Sequence, residues 1–150
     1  MDIALFFSVS HSENMIICAV ACFNIGADCQ KNNTNNIEQC RKIAKRFYTE
    51  KENIFLDLFI DGVEYINNFF EIWAKKEAYI KYTGKGLAEG LNTFTVSDET
   101  SRQNNCGEVY FKKIDLTELK KIKNPEKDKF FIYLCYNKEN KNIWQVKYFN

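Results

Sequence analysis

The stretch "FFEIWAKKEAYIKYTGKGL", residues 69–87, decides the fold because it predicts the longest helix of the chain. Asp61 with Glu64 is a capping-box pattern that opens this helix, and Gly84 stops it just after Tyr82. At about 100° per residue, the large apolar side chains gather on one side of the helix. This buried stripe consists of Ile66, Phe69, Phe70, Trp73 and Ile80.

Three charged residues fall within or beside this apolar stripe. Relative to Trp73, Glu77 lies near +40°, Lys76 near −60° and Lys81 near +80°, at about 100° per residue. The opposite face is predicted to be solvated and consists of Glu64, Asn67, Asn68, Glu71 and Lys75. A carboxylate that faces the interior is costly unless a cation or hydrogen bonds compensate it. Two interpretations stay open: an ordinary i,i+4 pair with Lys81, worth about 0.3–0.5 kcal/mol, or a metal-ligating carboxylate followed by a lysine that meets an anion.

The segment "FNIGADCQ", residues 23–30, can supply matching ligands. Its alternation predicts a strand that points Ala27 and Cys29 one way, and Asp28 and Gln30 the other, within reach of one cation. Together with Glu77, these side chains offer only oxygen donors, which suit Mg²⁺ rather than zinc. The alternative interpretation is an edge strand whose polar face meets water.

The remaining patterns predict an α+β fold, with helices in the middle and antiparallel strands at both ends. "IALFFSV" and "MIICAVACF" read as a hairpin, and "IEQCRKIAKRFY" has helical spacing. Thr49 with Glu52 is a capping box that opens a short helix through Phe59. Four further strands are predicted in "LNTFTV", "EVYFKKI", "KFFIYLCY" and "NIWQVKYF". A length of 150 residues fits a single domain, 1–150.

Composition excludes several classes of function. The net charge is +1 and no basic stripe stands out, which argues against a nucleic-acid partner. The six cysteines form no C-x-x-C pair and the single His11 has no partner for a zinc site, which predicts reduced thiols. The first residues lack a basic segment typical of a signal peptide, and no apolar run approaches the ~20 residues of a membrane span. A cytoplasmic protein without a membrane partner is therefore expected.

Taken together, the motifs resemble the 4′-phosphopantetheinyl transferases of the surfactin-synthetase-activating (Sfp-like) type. "IWAKKEAYIKYTGKGL" is similar to the family's W-x-x-K-E-A/S-x-x-K-x-x-G-x-G-L signature at every fixed position, and "IGADCQ" resembles its G-x-D-x-E metal motif. "VSHSENMIICAV" and "IAKRFYTEKE" also resemble family segments, so the likeness covers roughly residues 5–96. It implies a transferase-like fold in which an antiparallel sheet packs against helices, one of them long.

The resemblance implies Mg²⁺-dependent transfer of 4′-phosphopantetheine from coenzyme A to a serine of an acyl, peptidyl or aryl carrier protein. The implied metal ligands are Asp28, Gln30 and Glu77. The implied coenzyme contacts are Ser10, His11, Lys76 and Lys81, with Lys81 and Glu77 also in the reaction itself. Glu52 matches a family glutamate proposed to help deprotonate the carrier serine, although its capping-box position explains it equally, and His11 also suits an ordinary turn.

Two departures from the family pattern keep a second function open. Gln30 replaces the usual second acid, and the chain lacks most of the family's N-terminal half. The first hypothesis is an active transferase; the second is a shortened relative that binds coenzyme A or a carrier protein without catalysing transfer. Self-association into a homo-oligomer would compensate for the missing half; alternatively, the true start lies upstream of Met1.

Overall fold

The computed structural model describes residues 4–86, 90–96, 109–116, 129–137 and 139. Within these ranges two strands precede a third, three helices follow, and two strands come last. The strands are β1 (Phe6–Ser12), β2 (Met15–Ala21), β3 (Ile25–Lys31), β4 (Val109–Lys113) and β5 (Phe130–Asn137). The helices are α1 (Ile37–Phe47), α2 (Glu50–Leu56) and α3 (Gly62–Thr83), and a 3₁₀ turn spans Leu91–Thr93.

The strands form two antiparallel units. β1 and β2 pair as a hairpin, from Phe6 opposite Ala21 to Ser12 opposite Met15. The other unit is a three-stranded sheet in the order β3-β5-β4, and the hairpin lies along the edge of β3 that β5 leaves free. α3 packs on β3 so closely that a Cβ at Gly26 would collide with the backbone oxygen of Ala78. Gly26 therefore brings the strand and helix that carry the candidate ligands into direct contact.

Most predicted elements are confirmed. The hairpin, α1 and the final described strand lie where their patterns place them. Thr49 and Glu52 form the reciprocal capping box, although α2 ends at Leu56 instead of Phe59. α3 begins after Asp61, whose side chain accepts the Val63 N–H, and ends at Gly84 in the left-handed conformation with φ of 68°. The local start and stop signals therefore fix the helices of this chain.

The prediction of a strand in "LNTFTV" is wrong. Residues 91–93 form a 3₁₀ turn, and the following residues are extended without a ladder partner among the described strands. The buried ammonium of Lys76 takes the carbonyl oxygens of Leu91 and Phe94, and the carboxylate of Glu52 takes the Val96 N–H. Because a buried ion pair satisfies these backbone groups, the segment needs no neighbouring strand.

The solvated face predicted for α3 is also narrower than expected. The helical spacing predicts Lys75 on that face, but Lys75 is buried because β5 covers this side of the helix. Its ammonium lies 3.1 Å from Glu71 and 5.1 Å from the centre of the Tyr133 ring. The long aliphatic stem of lysine can be buried in this way while its charge keeps a partner.

Some predictions fall outside the described residues. These are the strand "NIWQVKYF" and the state of Cys106, while the first residue of "EVYFKKI" also lies outside. The five cysteines within the described ranges are free thiols, as predicted. Among the helices that the structure describes, none is both long and apolar enough to cross a bilayer.

The hairpin exposes an apolar face. Phe7, Val9, Ile16 and Val20 are each at least half exposed, with Phe7 and Ile16 at 74%. Phe7 pairs with Val20 in the ladder, so these side chains share one side of the two strands. Self-association of the chain stays a prediction that such a face would favour.

Candidate active site

Asp28 carries one satisfied and one unsatisfied carboxylate oxygen. It lies on the face of β3 that meets α3, and only 5% of its surface is exposed. Its Oδ1 atom accepts hydrogen bonds from Ser10 Oγ and Lys81 Nζ, each at 2.8 Å. Its Oδ2 atom is buried and has no hydrogen-bond partner among the residues that the structure describes. Since a buried charged oxygen without a partner is costly, this atom points to a ligand.

Glu77 brings a second carboxylate close to Asp28. Burial raises the pKa of Glu77 above its usual value, the negative charge of Asp28 raises it further, and Lys81 opposes the shift. The i,i+4 ion pair considered for Glu77 and Lys81 is not formed in the described part of the chain, because Lys81 reaches Asp28 instead. Two carboxylates therefore share one region of low solvation with a single lysine.

Gln30 lies two residues beyond Asp28 on the same strand face. Its side chain is half-buried and lines a cavity of about 470 Å³ together with Phe70 and Trp73 of α3. The amide nitrogen donates to the Lys31 carbonyl oxygen at 3.4 Å, whereas the amide oxygen accepts no hydrogen bond from any described residue. Gln30 thus carries an oxygen donor without a partner among the described residues on the strand face that also carries Asp28, although the cavity that it lines includes neither Asp28 nor Glu77.

These side chains fit a hard divalent cation. Within the described ranges, no group of three or more His, Cys, Asp or Glu residues could hold a metal ion, and Gln30 offers an amide oxygen in place of an acid. The set is two carboxylates and one amide, all oxygen donors, and Oδ2 of Asp28 lacks any other partner. Mg²⁺ accepts such ligands and usually keeps water or substrate phosphate in its remaining positions. β3 is the edge strand of its three-stranded sheet, but the alternative in which its polar face meets water fails at Asp28, which is buried between β1 and α3.

Glu52 and Lys76 lie together in a separate, fully buried ion pair. Their charged atoms are 2.8 Å apart, and neither residue is exposed. Glu52 also accepts the N–H groups of Thr49 and Val96, at 2.9 and 2.7 Å. Burial lowers the pKa of Lys76, and Glu52 counteracts that shift. The coenzyme contact predicted for Lys76 and the base role predicted for Glu52 stay predictions, and each would need a side chain to leave the partners it has in the core.

The two residues predicted from the hairpin lie in different environments. Ser10 is 7% exposed and its hydroxyl faces β3, where it contacts Asp28. His11 is exposed and sits opposite Ile16 near the end of the hairpin. The Ser10–Asp28 bond was not foreseen, although the alternation of serines at 8, 10 and 12 is a signal that one face of β1 is polar and buried.

Fold and site together define an α+β domain in which β3 and α3 bring Asp28, Glu77 and Lys81 into one region. The sequence model of the 4′-phosphopantetheinyl transferase superfamily matches residues 24–136, a range that includes both carboxylates, Gln30 and all of α3. The chain belongs to this superfamily.

Individual relatives point the same way. The chain is similar to the 4′-phosphopantetheinyl transferase gsp of Aneurinibacillus migulanus, with 33% identity over 96 residues, 64% of this chain and 38% of that protein. It is 38% identical over 91 residues to the 4′-phosphopantetheinyl transferase Sfp of Bacillus subtilis (strain 168), 60% of this chain and 38% of the relative. It is also 38% identical over 87 residues to the transferase HetI of Nostoc sp. (strain PCC 7120), 57% of this chain and 35% of that protein. The chain thus spans well under half the length of the curated relatives it matches.

Proposed function

We propose that this chain transfers 4′-phosphopantetheine from coenzyme A to a serine of a carrier protein in a Mg²⁺-dependent reaction. The observation that carries the proposal is the buried, unpartnered Oδ2 of Asp28 beside the carboxylate of Glu77 and the ammonium of Lys81. The family and its named transferases supply the reaction class. A cytoplasmic location and a homo-oligomeric state remain part of this proposal.

Asp28, Gln30 and Glu77 would hold the metal. When bound, Mg²⁺ neutralises charge on the diphosphate of coenzyme A, which is the chemistry that a phosphoryl transfer requires. The two carboxylates contribute two negative charges and Lys81 one positive charge. The net charge of the metal-free site is therefore less negative than it would be with a third acid at position 30. Metal binding should consequently depend on the coenzyme's phosphates more than in a three-acid site.

Lys81 supplies a cation beside the reacting phosphates. Its side chain is 30% exposed, so the ammonium is not enclosed in the core and can turn from Asp28 towards a phosphate oxygen. In the transfer, the carrier serine oxygen forms a bond to the phosphorus that carries the pantetheine, and the bond from that phosphorus to the bridging oxygen breaks. The serine proton leaves to a base, and 3′,5′-adenosine bisphosphate departs with its new phosphate oxygen stabilised by Lys81.

A binding protein without transferase activity is the second candidate. Gln30 favours it, because an amide ligand adds no negative charge to the metal site. Such a protein would bind coenzyme A or a carrier protein without forming the product.

Intact-mass measurement on a panel of apo-carrier proteins separates the two candidates. The full chain is incubated with coenzyme A, Mg²⁺ and each carrier, and addition of one phosphopantetheine to any carrier supports the transferase. Asp28→Asn and a chelated reaction should abolish the mass increase. If coenzyme A binds calorimetrically but no carrier gains mass, the binding protein is the correct function.

A further inference from the structure

The hairpin reaches β3 through three serine side chains of β1. Ser8, Ser10 and Ser12, here called the serine ladder, accept the backbone N–H groups of Ala27, Cys29 and Lys31 at 2.9, 3.2 and 3.0 Å. These N–H groups lie on the edge of β3 that does not pair with β5. Each hydroxyl oxygen therefore replaces a strand carbonyl as the acceptor for a sheet-edge N–H.

The middle serine has an additional bond that the other two lack. Ser10 Oγ donates to Oδ1 of Asp28 at 2.8 Å, and the structure gives Ser8 and Ser12 no carboxylate contact. A hydroxyl has a single hydrogen, and the Cys29 N–H already approaches the Ser10 oxygen as a donor. The Ser10 hydrogen is thus directed at Asp28.

This bond settles which oxygen of Asp28 stays available. Rotation of the carboxylate would exchange Oδ1 and Oδ2, but two donors, Ser10 and Lys81, hold Oδ1. Oδ2 is buried and has no hydrogen-bond partner within the described ranges. If Lys81 turns towards a phosphate, Ser10 alone keeps the carboxylate oriented.

We propose that Ser10 is a positioning residue that fixes the Asp28 carboxylate so that Oδ2 faces a divalent cation. The inference rests on the proposed function, because it assumes that Asp28 is a metal ligand. It gives Ser10 a task in addition to the nucleotide contact implied by the family resemblance, which stays a prediction. Groups that orient a metal ligand through one hydrogen bond typically change metal affinity by about 10- to 100-fold.

The serine ladder offers its own matched controls. Ser10→Ala, Ser8→Ala and Ser12→Ala each remove one hydroxyl that accepts a β3 N–H, but only the first removes a bond to Asp28. Mg²⁺ is titrated calorimetrically into the full chain with coenzyme A present, and urea unfolding is measured for each variant. We expect Ser10→Ala to raise the Mg²⁺ dissociation constant by about tenfold or more, while Ser8→Ala and Ser12→Ala leave it unchanged.

Two further variants keep the test decisive. Ser10→Thr retains the hydroxyl and should keep the Mg²⁺ affinity of the natural chain. Ser10→Cys keeps a similar volume with a weaker donor, so its Mg²⁺ affinity should lie between those of the natural chain and Ser10→Ala. Ser10→Cys replaces Ser10→Ala if the alanine variant does not fold. Ser10→Ala should have no further effect on Mg²⁺ binding in an Asp28→Asn background, because the two residues act as one unit.

Each outcome has a distinct meaning. Equal Mg²⁺ affinity for Ser10→Ala and Ser8→Ala, with normal binding by the natural chain, would overturn the role of Ser10 and leave the proposed function intact. Failure of the natural chain to bind Mg²⁺ even with coenzyme A would overturn the metal site itself and this inference with it.

Discussion

Lys76 and Lys81 of α3 lie five residues apart, and each pairs with an acid from another element at 2.8 Å. The two pairs differ in how deeply they are buried and in how completely their polar atoms are hydrogen-bonded. In the Lys76–Glu52 pair the side chains are 1% and 0% exposed. Lys76 also donates to two carbonyl oxygens, and Glu52 accepts two N–H groups. In the Lys81–Asp28 pair the side chains are 30% and 8% exposed, and one carboxylate oxygen has no partner.

The difference separates structural charge from charge available for chemistry. A buried pair whose polar atoms are all bonded holds its surroundings together but offers nothing to a ligand. A pair with one free oxygen and one lysine near solvent retains binding capacity. The same helix therefore carries a structural pair and a candidate reactive pair on different sides.

The largest effect should come from breaking the buried pair. Lys76→Met leaves Glu52 charged and unpaired in the core, which should lower the free energy of unfolding by about 3–5 kcal/mol. Lys81→Met is the matched control: Lys81 is 30% exposed and Asp28 keeps its hydrogen bond from Ser10, so the loss should be smaller than for Lys76→Met. Urea unfolding of both variants measures the difference. Equal losses would show that the two pairs are energetically alike and would refute the distinction.

Removing the charge of Asp28 should have a large effect on transfer and a small effect on stability. Asp28→Asn keeps the shape of the side chain but removes its charge from the proposed metal site, so the rate of the proposed transfer should fall at least about 100-fold. Glu13→Gln is the control, because it removes a carboxylate that pairs with Lys31 at 2.6 Å at the exposed end of the hairpin. Carrier modification by Asp28→Asn at the natural rate would place the chemistry elsewhere.

The sequence predicts the structural elements better than the pairings between them. Capping and stop signals at Thr49, Asp61 and Gly84 act over a few residues, so the helices they bound are recognisable without any tertiary information. The alternation in "FNIGADCQ" likewise predicts which side chains of β3 face the helix. Such local patterns account for most of the described fold.

Partners that are distant in the chain could not be predicted in this way. Glu52 and Lys76 belong to different helices, and nothing in their local patterns shows that each is buried against the other. The wrong strand prediction for residues 91–96 follows from that gap, since the backbone groups of this segment bond to the same pair. Only the family resemblance implies that Asp28 and Glu77 lie close together, since helical geometry places Glu77 within the apolar stripe and no more. The bond from Ser10 depends on how the hairpin docks.

Adding a negative charge at position 30, on the side of α3 that carries the Lys81–Asp28 pair, should increase the difference between the two pairs. Gln30→Glu supplies a third acid beside Asp28 and Glu77, so the Mg²⁺ concentration needed for half-maximal transfer should fall by about tenfold. Gln39→Glu is the control, because Gln39 lines the same cavity from α1 but does not lie on the β3 face. An unchanged Mg²⁺ dependence for Gln30→Glu would show that position 30 does not contribute a ligand.

The smallest effect should appear in the pH dependence of stability. The pKa of Glu77 is raised by burial and by Asp28, so between its ordinary and its raised value the folded chain binds more protons than the unfolded chain. The free energy of unfolding should therefore fall as the pH rises through this window. Glu77→Gln removes the cost of ionising this buried carboxylate and should raise the free energy of unfolding at neutral pH, on the order of 1 kcal/mol. Below the ordinary pKa of glutamate the substitution should give no such increase.

Glu71 on the same helix provides a control of opposite sign. Burial opposes its ionisation, but Lys75, a hydrogen bond from Tyr133 and Lys113 outweigh burial and lower the pKa of Glu71. Its charged form stabilises the fold above the ordinary pKa, and that contribution is lost as the pH falls through the lowered value, so Glu71→Gln should destabilise the chain at neutral pH. Thermal unfolding of both variants from acidic to neutral pH tests the pair. If Glu77→Gln also destabilises the chain at neutral pH, the charge of Glu77 is compensated by partners as that of Glu52 is. Glu77 would then be a structural residue like Glu52, and the distinction between the two sides of α3 would fail.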